Sequence, residues 1–186
     1  GSSCKATYMP GMMHYSKGNL SVDAEMERER DIAVWRVSNT SKKSSLTVNY
    51  IYGELTGSQF SRNGDLGKDP ADGFDLSYRV PEGSVPKYTL LMPGHDGPFS
   101  TLYEEGSIVL EPGGVAFFLA CPPGKSISGP AEDIYWAAVS GREAMASQFV
   151  IDTPDEYINP IGAALNFAED GIYGEDNVYL HGAVGW

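Results

Sequence analysis

Cysteine, histidine and basic residues are scarce in this sequence, and no apolar run is long. The 186 residues hold two cysteines, three histidines, and 13 Lys and Arg against 25 Asp and Glu, for a formal charge of −12. Cys4 and Cys121 would pair only if a terminal tail met a buried strand, so no disulfide framework is indicated. His14, His95 and His181 lie far apart with no pair at ligand spacing, which argues against a zinc centre. Apart from Lys42-Lys43 the basic residues are scattered, so nucleic acid and anionic membrane surfaces are poor partners for so acidic a chain. The longest apolar run, Val115 to Cys121, is strand-sized, far short of the ~18 residues that cross a bilayer. There is no Gly-x-Ser-x-Gly elbow and no phosphate loop, and nothing calls for a cofactor.

The length suits one sizeable core with an appendage. Gly1-Ser-Ser-Cys4 reads as a tag followed by an ordinary cysteine, which makes residues 1–12 a flexible N-terminus. Ser-Ser-Cys also resembles the end of a bacterial lipoprotein signal, with Cys4 as the acylated residue of a periplasmic or cell-surface protein.

What is abundant is alternation and turn chemistry. Leu46, Val48, Tyr50 and Tyr52 fall on one face of a run whose other face carries Thr47, Asn49 and Ile51, the period of a half-buried strand. Similar runs at Leu20–Met26, Ile32–Ser38, Phe74–Val80, Lys87–Met92, Ser107–Leu110, Val115–Cys121, Ile134–Val139 and Ser147–Ile151 bring the expectation to about nine strands. Between them lie Pro93-Gly-His-Asp-Gly-Pro98, Glu111-Pro-Gly-Gly114 and Pro122-Pro-Gly124, where Gly supplies positive φ and Pro presets φ. The fold class that follows is mainly β, an antiparallel β-sandwich over residues 13–152. On alternating strands Trp35, Trp136 and Trp186 are expected in the core, although with eleven tyrosines they could instead form a sugar-stacking platform. The adjacent pairs Glu104-Glu105 and Asp155-Glu156 do not face each other as glycosidase acids must.

The pattern changes at Thr153. Thr153-Pro-Asp-Glu156 reads as a capping box, with Thr153 as N-cap, Pro154 at the first helical position and Glu156 at the third. The spacing predicts a C-terminal linker helix from there, kinked or restarted at Asn159-Pro160, with Ile161, Ala164, Leu165 and Ala168 on one face until Gly171. Val178 to Trp186 is apolar and aromatic, so residues 153–186 read as a linker helix leading into a further domain.

Three stretches carry a resemblance: Tyr52-Gly53 with Gly57 and Phe60-Ser-Arg-Asn-Gly-Asp-Leu-Gly-Lys-Asp-Pro70, Phe149-Val-Ile-Asp-Thr-Pro-Asp-Glu-Tyr-Ile-Asn159, and Tyr179-Leu-His-Gly-Ala-Val-Gly-Trp186. Together they resemble large Bacteroidetes proteins of a six-hairpin glycosidase-like family, in which a β-supersandwich precedes a linker helix and an (α/α)6 catalytic barrel. The resemblance runs from about Met13 to Trp186. It implies the later sandwich, the linker and the barrel's first residues. Because almost the whole barrel lies outside this chain, no catalytic residue carries over.

The glycine-rich stretch Arg62 to Gly73 has Asn63, Asp65 and Asp69 at calcium-loop positions 1, 3 and 7. Phe74 stands where the bidentate Glu belongs, so an EF-hand is excluded. A looser calcium site, a solvated turn and a loop over a sugar cleft remain as readings. On the last, Arg62, Asp65 and Asp69 are candidate substrate-binding residues, together with His181 and Trp186 in the closing motif. Two function classes follow. One is a non-catalytic sandwich and linker of a glycoside hydrolase, whose partners are carbohydrate and the catalytic domain or another copy of the chain. The other is a self-contained carbohydrate-binding or cell-surface module.

Overall fold

A computed structural model describes residues 4–53 and 83–171. The described elements run β1 (Lys5–Met9), β2 (Met12–Lys17), β3 (Leu20–Glu27), β4 (Ile32–Asn39), β5 (Leu46–Gly53), β6 (Thr89–Leu91), β7 (Tyr103–Leu110), β8 (Val115–Cys121), α1 (Ala131–Ala146) and α2 (Asn159–Gly171). They build a six-stranded antiparallel sheet in the order β1-β2-β3-β4-β8-β6 and a two-stranded antiparallel ribbon of β5 and β7. The molecule is mainly antiparallel β with a C-terminal helix, in keeping with a β-sandwich.

Because strand side chains alternate, β4 and β8 each serve two layers. On one face Ile32, Val34, Leu119 and Cys121 meet Ile127 and the α1 residues Ile134 and Tyr135, all no more than 6% exposed. Burial of each large apolar side chain in this cluster contributes roughly 1.5–3 kcal/mol. On the other face Phe118 receives the ring edge of Tyr50 from β5, with centroids 5.1 Å apart. Tyr50 lies across its register partner Gly106, where an added Cβ would come within 2.5 Å of the phenol oxygen. Any side chain at that position would have to displace the Tyr50 ring.

Asn39, 1% exposed at the end of β4, joins the two sheets. Its amide nitrogen donates to the carbonyls of Ser44, Leu110 and Glu111 at 2.8, 3.0 and 3.1 Å, while its oxygen accepts from Ser41 N at 3.0 Å. Asn166 does the same between the helices. It donates to the Met145 and Ala146 carbonyls at 2.9 and 3.3 Å, satisfying acceptors that the end of α1 leaves without intrahelical partners. Phe167 of α2 rests on Gly11, whose φ of 75° suits only the glycine in the Pro10-Gly11 turn.

Several expectations are corrected. Residues 5–9 form a strand rather than a loose arm, so the boundary placed at residue 13 falls inside the β1–β2 hairpin. Ile134–Val139 is the middle of α1, not a strand. Ile134, Tyr135 and Ala138 share its buried face, and Glu132 and Asp133 fill the first turn as the helix dipole favours. Ser147–Ile151 is not a strand either: Ser147 caps α1 through its N–H to Glu143 O at 3.1 Å. Thr153 is not a helix N-cap. α2 begins at Asn159, with Pro160 in its first turn, and Glu156 lies in the preceding turn. Thr153 instead closes a loop with Asn159, donating its N–H to Asn159 Oδ1 at 2.8 Å and accepting from Asn159 Nδ2 at 3.0 Å. The sequence could not separate a cap from a loop closure, since both use a hydroxyl near free amides. The strand expected at Phe74–Val80 lies outside the described residues.

Candidate ligand sites on the two faces of the sheet

The sandwich-side face has a register row Tyr8, Met13, Ala24, Trp35 and Phe118, drawn from five adjacent strands. Tyr50 covers its Phe118 end, whereas Tyr8 is exposed and Trp35 is 37% exposed. Trp35 is therefore not the core residue that alternation suggests. Trp136, 52% exposed on α1, is not one either. Trp35 opens onto a groove of about 650 Å³, lined also by Met26, Tyr52, Tyr88, Arg28 and Asp31. A second cavity of about 360 Å³ between the sheets shares Trp35 and Tyr52 with it. Both volumes fall within the ~300–1,000 Å³ typical of small-molecule sites.

The groove's charged residues are already engaged. Arg28 is ion-paired with Asp170 of α2, and Asp31 with Lys125 at 2.7 Å. Asp31 adopts φ 55° in the β3–β4 turn, a left-handed conformation that Asp tolerates better than most residues. What the groove presents is aromatic rings beside neutralised ion pairs.

The helix-side face holds the other polar cluster. Thr7, His14, Asp23, Arg36 and Phe117 form one register row. Asp23 accepts from His14 Nδ1 at 2.6 Å and from Arg36 Nη1 at 3.3 Å. Two residues along β3, the Glu25 side chain is 1% exposed and takes the Arg142 Nε–H at 3.0 and 3.1 Å. Burial holds the Glu25 carboxyl above the usual glutamate value, and Arg142 only partly offsets this. The buried Cys121 thiol is likewise pushed up by desolvation, the mark of a structural rather than a reactive cysteine.

Of the residues singled out in the sequence, Arg62, Asp65, Asp69, His181 and Trp186 lie outside the described residues, as does the Arg62–Gly73 loop. His95 stacks on Phe99 with centroids 3.9 Å apart and sits 3.5 Å from Glu104, as a turn residue. Glu105, beside Glu104, accepts from the Tyr103 hydroxyl at 2.5 Å. Among the described residues, no three His, Cys, Asp or Glu side chains are grouped to hold a metal ion, and no helix is long and apolar enough to cross a membrane. Both cysteines are free. The clusters around Asp23 and Glu25 were missed because charges at inward-facing strand positions count against a strand pattern rather than for a site. The alternation His14, Asp23, Glu25 on neighbouring runs was the available signal.

Residues 1–86 match a family model described as a domain of unknown function (DUF4450). The match takes in β1 to β5, and with them Trp35 and the His14–Asp23–Arg36 row, but neither helix. No curated protein and no solved structure matches the chain.

Proposed function

We propose that this chain is the non-catalytic β-sandwich and linker portion of a glycoside hydrolase acting on carbohydrate, with the sandwich contributing a glycan-binding groove. The observation that carries the reading is the groove itself. Trp35, Tyr52 and Tyr88 give it aromatic surface of the kind that combines an apolar face with a polar tip, and its ion pairs leave it electrically quiet. Such a surface suits the flat, largely uncharged rings of a polysaccharide. The resemblance in the three sequence stretches supports the same class. The linker role draws on Ile161 and Leu165 of α2 and on Phe149, Val150 and Ile158 in the segment before it, all exposed apolar side chains suited to a further domain.

A self-contained carbohydrate-binding module is the second reading, and the same groove favours it. Affinity electrophoresis through gels cast with neutral polysaccharides tests the shared claim. The chain should be retarded by at least one polysaccharide and Trp35→Ala should run free. Equal mobility of the two proteins in every gel would overturn it. The two readings separate on sedimentation, where a monomer at ~100 μM favours the self-contained module, whereas aryl-glycoside turnover by this chain alone would contradict both.

A further inference from the structure

The helix-side row has the makings of a second site, on residues that the groove does not use. Asp23 is its hub. Because a carboxylate only accepts, His14 Nδ1 carries the proton toward Asp23, and in the Nδ1–H tautomer that this bond selects Nε2 can accept. No described residue bonds Nε2, and the His14 side chain is 33% exposed. Arg36 spends one nitrogen on Asp23 and keeps its other N–H groups, with the side chain 29% exposed. The Tyr135 ring lies 5.7 Å from the Arg36 guanidinium carbon.

Tyr135 is the anomaly. It is 6% exposed, yet its hydroxyl has no hydrogen-bond partner among the described residues. A buried hydroxyl left in that condition costs about 1–3 kcal/mol, and such groups are uncommon. Burial and then Asp23 push its phenol up, Glu25 adds to this more weakly, and Arg36 and Arg142 pull it down.

The chemistry of an occupant follows from what is offered. Arg36 and Tyr135 donate, while Asp23 and His14 Nε2 accept. The charges of Asp23 and Glu25 are balanced by Arg36 and Arg142. An anion would turn acceptors toward Asp23, and an amine would turn donors toward Arg36. Either would leave charge uncompensated in a half-buried site. Adjacent hydroxyls both donate and accept, and bring no charge. We propose that His14, Asp23, Arg36 and the Tyr135 hydroxyl form a binding site for a vicinal diol of a sugar or polyol, on the face of the sheet opposite the groove.

The imidazole ring-proton resonances of His14, assigned with His14→Gln, report on this site directly. D-mannose titrated to ~100 mM should shift them saturably, with a millimolar dissociation constant. The fully O-methylated methyl mannoside, which keeps the ring but has no vicinal diol, should bind at least about tenfold more weakly. Tyr135→Phe, which keeps the packing, should lose a similar factor while melting no lower than the parent. Trp35→Ala should leave the His14 response intact, so failure of the groove and failure of this site are separate results. Absence of a saturable shift, equal binding of the O-methylated mannoside, or full affinity in Tyr135→Phe would each overturn the proposal.

Discussion

The two faces of the six-stranded sheet are built from the same strands and do opposite things. Under α1, β4 and β8 contribute Ile32, Val34, Leu119 and Cys121, all sealed from water. One residue along, the same strands contribute Trp35 and Phe118 to a face that β5 and β7 cover only in part. A single alternating pattern therefore reads as one amphipathic strand when both of its faces have employment. What distinguishes them is the kind of polar group each admits. The helix side holds ion pairs deep in its packing, and the sandwich side keeps its ion pairs at the margin of an aromatic groove.

The largest effect expected on the helix side comes from breaking the buried ion pair. Arg142→Ala should cost about 3–5 kcal/mol in urea denaturation, because Glu25 is left buried without its cation. A loss under about 1 kcal/mol would mean that water reaches Glu25 and that the two faces differ less than the packing implies.

A smaller effect sharpens the same point through pH. The folded-state pKa of Glu25 is raised above its ordinary 4.5, so the folded protein holds this proton more tightly than the unfolded chain does. Its contribution to stability is fully present below 4.5 and is lost as pH rises through the raised folded value. Wild type should lose stability relative to Glu25→Gln across that window, and the opposite slope would show that Arg142 overcompensates the burial.

The same contrast explains what the sequence made legible. The strands at Leu20, Ile32, Leu46 and Val115 were readable because period-two alternation survives even when both faces are in use. Ile134 to Val139 was not, since six mostly apolar residues fit a strand or one side of a helix equally. The tag-like residues at the N-terminus drew Lys5–Met9 out of the fold, although they form the first strand. Trp35 was legible as an aromatic at a strand position, and its exposure was not, because exposure depends on how far β5 and β7 reach across the sheet. The His14–Asp23–Arg36 row exists only through the register of three strands, which no local pattern encodes.

The central claim is that the packing beneath α1 on one face of this sheet holds the protein together, whereas the aromatic groove on the other face contributes little to stability. Paired urea denaturation of Leu119→Ala and Trp35→Ala tests it most directly. Leu119, 1% exposed beneath α1, should cost about 2–5 kcal/mol when truncated, whereas Trp35 should cost less than about 1 kcal/mol despite its greater size. Equal losses, with Trp35→Ala as damaging as Leu119→Ala, would make the groove part of the core and contradict the account.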